Sequence, residues 1–464
     1  MFRTTGITMH HIKSVRTVAI IGLALMSLLR MATAQTAQID LYVREGLKNN
    51  LGLQQDYLTL EKVKQDKRQA LGLFLPNVTA TAQASEMRGN LLDIGKLVNP
   101  AYATLNQLTG SSMFPTNLDL TLPLKRQTTV QVLQPIIQPA VYFNHALQSH
   151  LVDAQEWGYK AAARSLVAEI KIAYFNVAKA TRVAELYLGT IPLLQENLRV
   201  NESLVKNEKR TAESVYRAQA ELSEIIQKAD DAERQRTGAR NYFNFLLHRD
   251  LESSVNIDSV LDDLPTVADS LSLVVPHQTR EELLQISEGI EAADRAVSLA
   301  TSSYFPTLGA GFTLGYQGQT FDYSHGKDFE VLTLQAQWNI FNGFQDAAKR
   351  EQAQIERRKL ELKEMEVQEQ ISMQVRLAAL DVQVGRSALR TAGERYLSAS
   401  QGYKLIEKKY ALGAASQVEY LDARTALTNA GLNSIITRYD FFSRLAALER
   451  ARGSYPLHTV IPQE

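Results

Sequence analysis

The strongest constraint on this chain is one hydrophobic seam that occurs twice. Ile371, Val375, Ala378, Val382, Gly385, Leu389, Ala392, Tyr396, Ala399, Tyr403, Ile406 and Tyr410 follow one another in steps of four and three, and all but Gly385 are apolar. Only a helix with a 3.5-residue period keeps such a stripe facing one partner, so the run from Gln345 to Lys409 is expected to be a coiled-coil helix. Counting back 205 positions (371 against 166) gives Leu166, Ile170, Ala173, Val177, Ala180, Ala184, Tyr187, Ile191, Leu194, Leu198, Asn201 and Val205, the same seam with Asn201 as its polar position. A duplication this large sets the fold class before any local feature does.

Each seam sits in the same order of elements. Ile39 to Leu75 reads as a helix closed by Pro76, which cannot continue it without losing a hydrogen bond. From Val78 the period becomes two, with Ala80, Ala82 and Ala84 alternating with polar residues. Residues 88–126 show no period and read as a long loop. A second strand, Thr128 to Gln134, precedes a helix from about Val141 to Asn207, which at 1.5 Å per residue is about 100 Å long and carries Pro192 as an expected kink. A polar turn and a return helix follow, with Val215, Ala218, Leu222, Ile225, Ala229, Ala232, Ala239, Phe243 and Leu246 on its seam and Arg236 in the remaining slot. The cycle restarts with a helix from Thr279 to Ser303, strands from Leu308 to Tyr316 and Val331 to Phe341, the second seam helix, and a return from Ala414 to Arg452. The return seam reads Val418, Leu421, Thr425, Thr428, Leu432, Ile435, Tyr439, Phe442 and Ala446.

The resulting division is a leader at 1–34, a first repeat at 35–248 with its hairpin at about 77–137, and an acidic linker or equatorial segment at 249–276. A second repeat at 277–455 with its hairpin at about 307–341 follows, then a tail at 456–464. The leader has His11, Lys13 and Arg16, a dozen apolar residues from Val18 to Leu29, and Ala32-Thr33-Ala34, the pattern of a cleavable secretory signal. A spanning helix needs roughly twenty apolar residues. The acidic linker reads as solvated.

Four strands of about ten residues, apolar on one face and polar or glycine on the other, fit an outer-membrane barrel. Leu308, Phe312, Leu314, Tyr316, Leu332, Leu334 and Trp338 are its expected lipid-facing residues. Four strands leave two open edges, which lipid cannot satisfy, and about eight is the smallest barrel. The barrel must therefore be shared, with three copies giving about twelve strands and two about eight. Helical hairpins of about 100 Å need the same assembly, as a ring of coiled coils.

The paired junctions Leu73-Phe74-Leu75-Pro76 and Ser303-Tyr304-Phe305-Pro306-Thr307-Leu308, and Gln134-Pro135-Ile136-Ile137 and Trp338-Asn339-Ile340-Phe341-Asn342-Gly343, resemble those of the TolC-like outer-membrane efflux protein family. Tyr410-Ala411-Leu412-Gly413-Ala414-Ala415-Ser416 with Tyr420-Leu421-Asp422-Ala423 resembles the family's helix-turn tip, and Ala446 to Gly453 its closing segment. The resemblance covers about residues 36–455. It implies a homotrimer with a twelve-stranded outer-membrane barrel continued by a periplasmic α-helical tunnel. It further implies a passive exit duct for efflux or type I secretion, coupled to an inner-membrane transporter through a periplasmic adaptor. Leu412, Gly413 and Ser416 become candidate adaptor contacts, and Glu419 and Asp422 candidates for a charged constriction. The bland readings are a helix cap for Gly413, a solvated carboxylate for Asp422, and seam packing for Tyr396, Tyr403 and Tyr410. The first turn, Glu208-Lys209-Arg210-Thr211-Ala212-Glu213, departs from the family pattern: it has no glycine and is longer.

The sequence contains no pattern for catalysis, cofactor or metal. Its eight histidines are scattered, with no H-x-x-x-H, no H-E-x-x-H, no phosphate-binding glycine loop and no G-x-S-x-G. Without cysteine there are no disulfides, iron–sulfur clusters or lipidated N-terminal cysteine. A formal net charge of zero argues against a nucleic-acid partner, which needs a basic face. The competing reading is a secreted or periplasmic coiled-coil scaffold without a pore, which explains the seams but not the two proline-flanked alternating hairpins.

Overall fold

A computed structural model describes residues 37–86, 92–118, 121–122, 125–258 and 280–457. The leader and most of the acidic linker lie outside the described residues. The elements are α1 (Ala37–Asn49), α2 (Leu51–Gly72), β1 (Asn77–Ala84), β2 (Leu92–Asp93), α3 (Gly95–Thr109), β3 (Thr121–Leu122), β4 (Arg126–Ile137), α4 (Pro139–Lys206) and α5 (Glu213–Leu246). After the acidic segment come α6 (Glu281–Thr301), a 3-10 turn at Ser302–Tyr304, β5 (Thr307–Gly318), β6 (Asp328–Gln337), α7 (Gln345–Ala411) and α8 (Gln417–Arg452). The chain forms two compact units, one of Met1–Thr59, Glu156–Leu284 and Met365–Glu464, the other of Leu60–Gln155 and Gln285–Glu364. Among the described residues no helix is long and apolar enough to cross a membrane.

The first unit is helical. Its core takes Tyr42 and Val43 from α1, Leu166, Ile170, Ala173, Tyr174 and Val177 from α4, and Phe243 and Leu246 from α5. No position of the α4 seam is exposed, and on the α7 seam only Tyr396 is, so the 3.5-residue stripe marks the buried face of both long helices. The return seam on α8 needs correction. Val418 and Thr425 are exposed, while Tyr420, Arg424 and Gly431 take the buried side. Tyr420 packs on Tyr410 there, and Arg424 donates to the Thr190 carbonyl at 3.2 Å, so a ring and a guanidinium take buried places beside the seam.

The helix expected from Ile39 to Leu75 is two helices. Asn50 interrupts it: its Oδ1 accepts from Leu53 N at 3.0 Å as an N-cap, and its Nδ2 donates to the Leu246 carbonyl at 2.9 Å. The first residues of the acidic segment are also not a solvated linker. Tyr42 OH accepts from Asn256 N at 3.0 Å, Tyr174 OH accepts from Asp258 N at 2.8 Å, and Val255 and Ile257 pack on the core. Burial pushes the Tyr174 phenol up to about 12, so it stays a neutral donor and acceptor.

A buried ionic knot ties α4, α6 and the end of the chain. Arg164 donates from Nε to both Glu281 carboxylate oxygens at 2.9 and 3.0 Å, and from Nη1 to the Tyr455 carbonyl at 2.9 Å. Arg280 is 2% exposed, holds Glu282 at 2.6 and 2.9 Å, and donates to the Ala451 carbonyl at 2.5 Å where α8 ends. It adds to the left-handed cap at Gly453, where the N–H of Gly453 donates to Arg450 at 3.0 Å and that of Ser454 to Glu449 at 3.1 Å, in satisfying the last carbonyls of α8.

The second unit holds an antiparallel sheet in the order β1-β4-β5-β6. Asn77 faces Leu133, Arg126 faces Gly318, and Thr307 faces Gln337. Directly opposed residues share a face, so Phe312 lies between Val132 and Leu332, and Leu314 beside Val130. The other face carries Thr81, Thr129, Gln131, Gly311, Thr313 and Thr333. Two strand limits differ from expectation. β4 runs on through Pro135 to Ile137, because β1 pairs only as far as Leu133 and a register shift at Pro135 absorbs the missing N–H. β6 ends at Gln337 rather than Phe341, because its partner begins at Thr307 after Pro306 and offers nothing further to pair.

Residues 88–126 are not a structureless loop. They contain α3, with Pro100 near its start and Gly110 closing it at φ 62°. Asn99 and Asn106 each make a two-way amide pair with the returning backbone, to Leu118 at 2.9 Å both ways and to Phe114 at 2.7 and 2.9 Å. The stretch shows no period in the sequence; here the asparagines staple the returning chain to the helix.

Candidate functional site: the two helix-turn tips

The α7–α8 tip is built from a C-cap and an N-cap in quick succession. Lys408 and Lys409 stand in the last turn of α7, where basic charge suits the helix dipole. Gly413 at φ 73° turns the chain, its N–H donating to the Tyr410 carbonyl at 3.0 Å and that of Ala414 to Lys409 at 2.8 Å. This is the paired-bond cap that prefers glycine. Leu412 projects from the turn, 84% exposed. Ser416 then opens α8 with a full capping box: Glu419 N donates to Ser416 Oγ at 3.2 Å, and Ser416 N donates to the Glu419 carboxylate at 2.7 Å. These bonds from the Ser416 backbone and hydroxyl, with Lys409 nearby, hold the Glu419 carboxyl below the usual carboxylate range. Asp422 is exposed and makes no such bond among the described residues.

The α4–α5 tip has the same exit geometry. Glu208 occupies the position of Gly413 (413 minus 205) with φ 59°, its N–H donating to Val205 at 2.9 Å and that of Lys209 to Leu204 at 2.9 Å. A side chain in this left-handed conformation costs roughly 1–2 kcal/mol. We therefore expect Glu208→Gly to raise unfolding stability by about 1 kcal/mol and Gly413→Ala to lower it by about the same. Urea midpoints of the two variants check this; equal and opposite shifts are expected, and no gain from Glu208→Gly would mean that the turn is not strained.

Aromatic and basic side chains join the two tips. Tyr410 and Tyr420 stack at 4.5 Å between ring centroids. The Arg210 guanidinium sits 4.6 Å from the Tyr410 ring centroid, donates to its hydroxyl, and also donates to Asn201 Oδ1 at 3.0 Å. Tyr403 and Tyr420 hydroxyls are 3.2 Å apart, and Tyr403 donates to Glu407 at 2.9 Å; burial and these bonds push the Tyr403 phenol strongly up. Gln417 Nε2 donates to the Ser214 carbonyl at 2.8 Å. Tyr403, Tyr410 and Asn201 thus do more than fill the seam. Arg210 and Tyr420 stood in the two tip segments without a role of their own, since an arginine in a polar turn and a tyrosine off the stripe carry no local signal for a partner.

The expected lipid-facing residues Leu308, Phe312, Leu314, Tyr316, Leu332 and Leu334 share one sheet face by register. Trp338 lies one residue past β6 and donates from Nε1 to the Tyr304 carbonyl at 3.0 Å.

Residues 277–454 match the family model described as outer membrane efflux protein. No match was found among curated proteins. Among solved structures, the chain is similar to the outer membrane protein VceC of Vibrio cholerae, with a TM-score of 0.72 and 16% identity over 90% of this chain and 96% of that one. The Campylobacter jejuni CmeC outer membrane channel gives a TM-score of 0.73 at 16% identity over 91% and 88%. The open state of the Neisseria gonorrhoeae MtrE outer membrane channel gives 0.70 at 16% identity over 90% and 89%. The family matched is one of efflux proteins, not of enzymes, as the residue pattern led us to expect.

Proposed function

From the match of residues 277–454 to the family model described as outer membrane efflux protein, we propose that the chain is one protomer of an outer-membrane exit duct. Three copies close a twelve-stranded barrel, and their helices continue it as a periplasmic tunnel. The duct is passive; an inner-membrane transporter drives small molecules or secreted proteins through it by way of a periplasmic adaptor. The observation that carries this reading is the sheet. Among the described residues its β1 and β6 edges pair with nothing, and one exposed face is apolar, with Leu332 75% and Leu334 69% exposed. A scaffold in water gains nothing from such a face, whereas lipid and neighbouring copies would cover it. The stripe Met373, Leu377, Leu380 and Val384 on α7 is exposed at seam spacing and gives each copy a surface for the next.

Within this reading Leu412, Gly413 and Ser416 form the adaptor contact, with Leu412 as its apolar anchor. The Glu419 carboxylate is committed to the capping box, so the constriction charge falls to Asp422. Within this reading, opening the tips breaks the Arg210–Tyr410 contact, which ties the two helical hairpins of one protomer.

The test is the detergent-corrected mass of residues 35–464 by light scattering, with planar-bilayer conductance. A trimer with a small, mostly closed conductance is expected. A monomer or dimer that stays soluble without detergent and never conducts would replace the duct by the scaffold.

A further inference from the structure

Among the described residues one group of three metal-ligand side chains comes together: His150 and Asp153 on α4 and Glu288 on α6. His150 Nδ1 lies 2.9 Å from Glu288 Oε2, and one donor atom from each of the three falls within 4.8 Å of the others. His150 and Asp153 are three residues apart, hence on one face of α4. His150 and Glu288 are half-buried and Asp153 is exposed, so the group is anchored yet open to ions from solution.

Its charge separates it from four carboxylates that meet a cation on a neighbouring helix. Glu281 meets Arg164, Glu449 meets Lys171, Asp440 meets Lys179, and Asp294 meets Arg357. Among the described residues Asp153 and Glu288 meet no lysine or arginine; their common neighbour is an imidazole. With that imidazole neutral, the group carries two uncompensated negative charges. Helical bundles that hold carboxylate metal sites also pair a histidine with a carboxylate three residues away and add glutamates of facing helices, there in the order Glu-x-x-His. The nitrogen donor favours zinc, cobalt or nickel over magnesium and calcium, which prefer oxygen.

We propose that His150, Asp153 and Glu288 bind one divalent transition-metal ion of the zinc class per chain, clamping α4 to α6. Donor distances of about 2.0–2.2 Å to such an ion require the three donors to close by about 1 Å. Rotation of the exposed Asp153 carboxylate supplies most of that movement. Binding needs His150 Nδ1 free of its proton, so any proton held there is released as the metal enters. Water fills the remaining positions.

The experiment uses the full mature chain in detergent, without a histidine tag and stripped by chelator. Zn2+ is titrated by calorimetry, and Co2+ by its visible absorption. One site per chain is expected, with Co2+ bands of low coordination number and a Zn2+-dependent rise in the thermal midpoint. Glu288→Gln and His150→Gln should each weaken binding at least about tenfold and abolish the rise, whereas His325→Ala, in the β5–β6 turn, should leave both unchanged. The use of two ligand variants keeps the test decisive if one of them fails to fold. Absence of a stoichiometric site, or binding indifferent to whichever ligand variant folds, overturns the proposal.

Discussion

Glu281→Ala is expected to destabilise the chain by about 3–5 kcal/mol, among the largest effects open to a single side chain here. The substitution leaves Arg164 charged and buried, with only the Tyr455 carbonyl to satisfy it. The damage is the stranded charge rather than the lost attraction, so removing both partners should hurt less. Arg164→Met combined with Glu281→Leu is expected to recover most of the loss. Urea midpoints followed by far-UV circular dichroism measure both. A loss under about 1 kcal/mol for Glu281→Ala would show that water reaches the pair. The adjoining Glu282 adds a pH dependence. Burial raises its carboxyl, but the Arg280 bonds and charge outweigh burial and bring it below its ordinary value of 4.5. A depressed carboxylate contributes stability above its unfolded value that is lost as pH falls through the folded one, so wild-type stability should drop in acid below about 4.5.

Gly315→Val should be the most damaging change in the sheet, at about 3 kcal/mol or more. A Cβ at Gly315 would overlap the Thr128 carbonyl oxygen and lie 3.0 Å from Thr129 Cα. Both are backbone atoms of the paired strand β4, so relief requires parting the two central strands. Gly309 lies on the same polar face, yet an added Cβ there meets only the Gln134 carbonyl oxygen at 3.6 Å. Gly309→Val should therefore be tolerated within about 1 kcal/mol. Amide exchange over β4 and β5 and the yield of folded protein separate the two. Equal behaviour would mean that the loss of glycine itself, rather than the close approach, governs the strand.

The periodic parts of the chain were legible in the sequence because their burial is set by one repeated contact. The α4 and α7 seams needed only spacing, and the apolar sheet face needed only alternation. Where a single polar side chain makes a long-range bond, the pattern misled. Asn50 splits a helix by reaching Leu246, Arg424 takes a buried place off the α8 seam by reaching Thr190, and Asn99 and Asn106 fold what reads as a loop. The tips show both sides. Gly413 announces a turn locally, whereas the Ser416–Glu419 capping box emerged with the structure and Arg210 is placed by Asn201 and by Tyr410, 200 positions away. His150 and Glu288 likewise lie 138 positions apart and carry no motif between them. Which faces of the long helices and strands are apolar follows from residue order alone, since hydrophobic periodicity is a property of neighbours in the chain. Which charged and polar groups meet emerges with the folded chain, since a hydrogen bond or ion pair depends on a few ångströms of approach that no local spacing encodes.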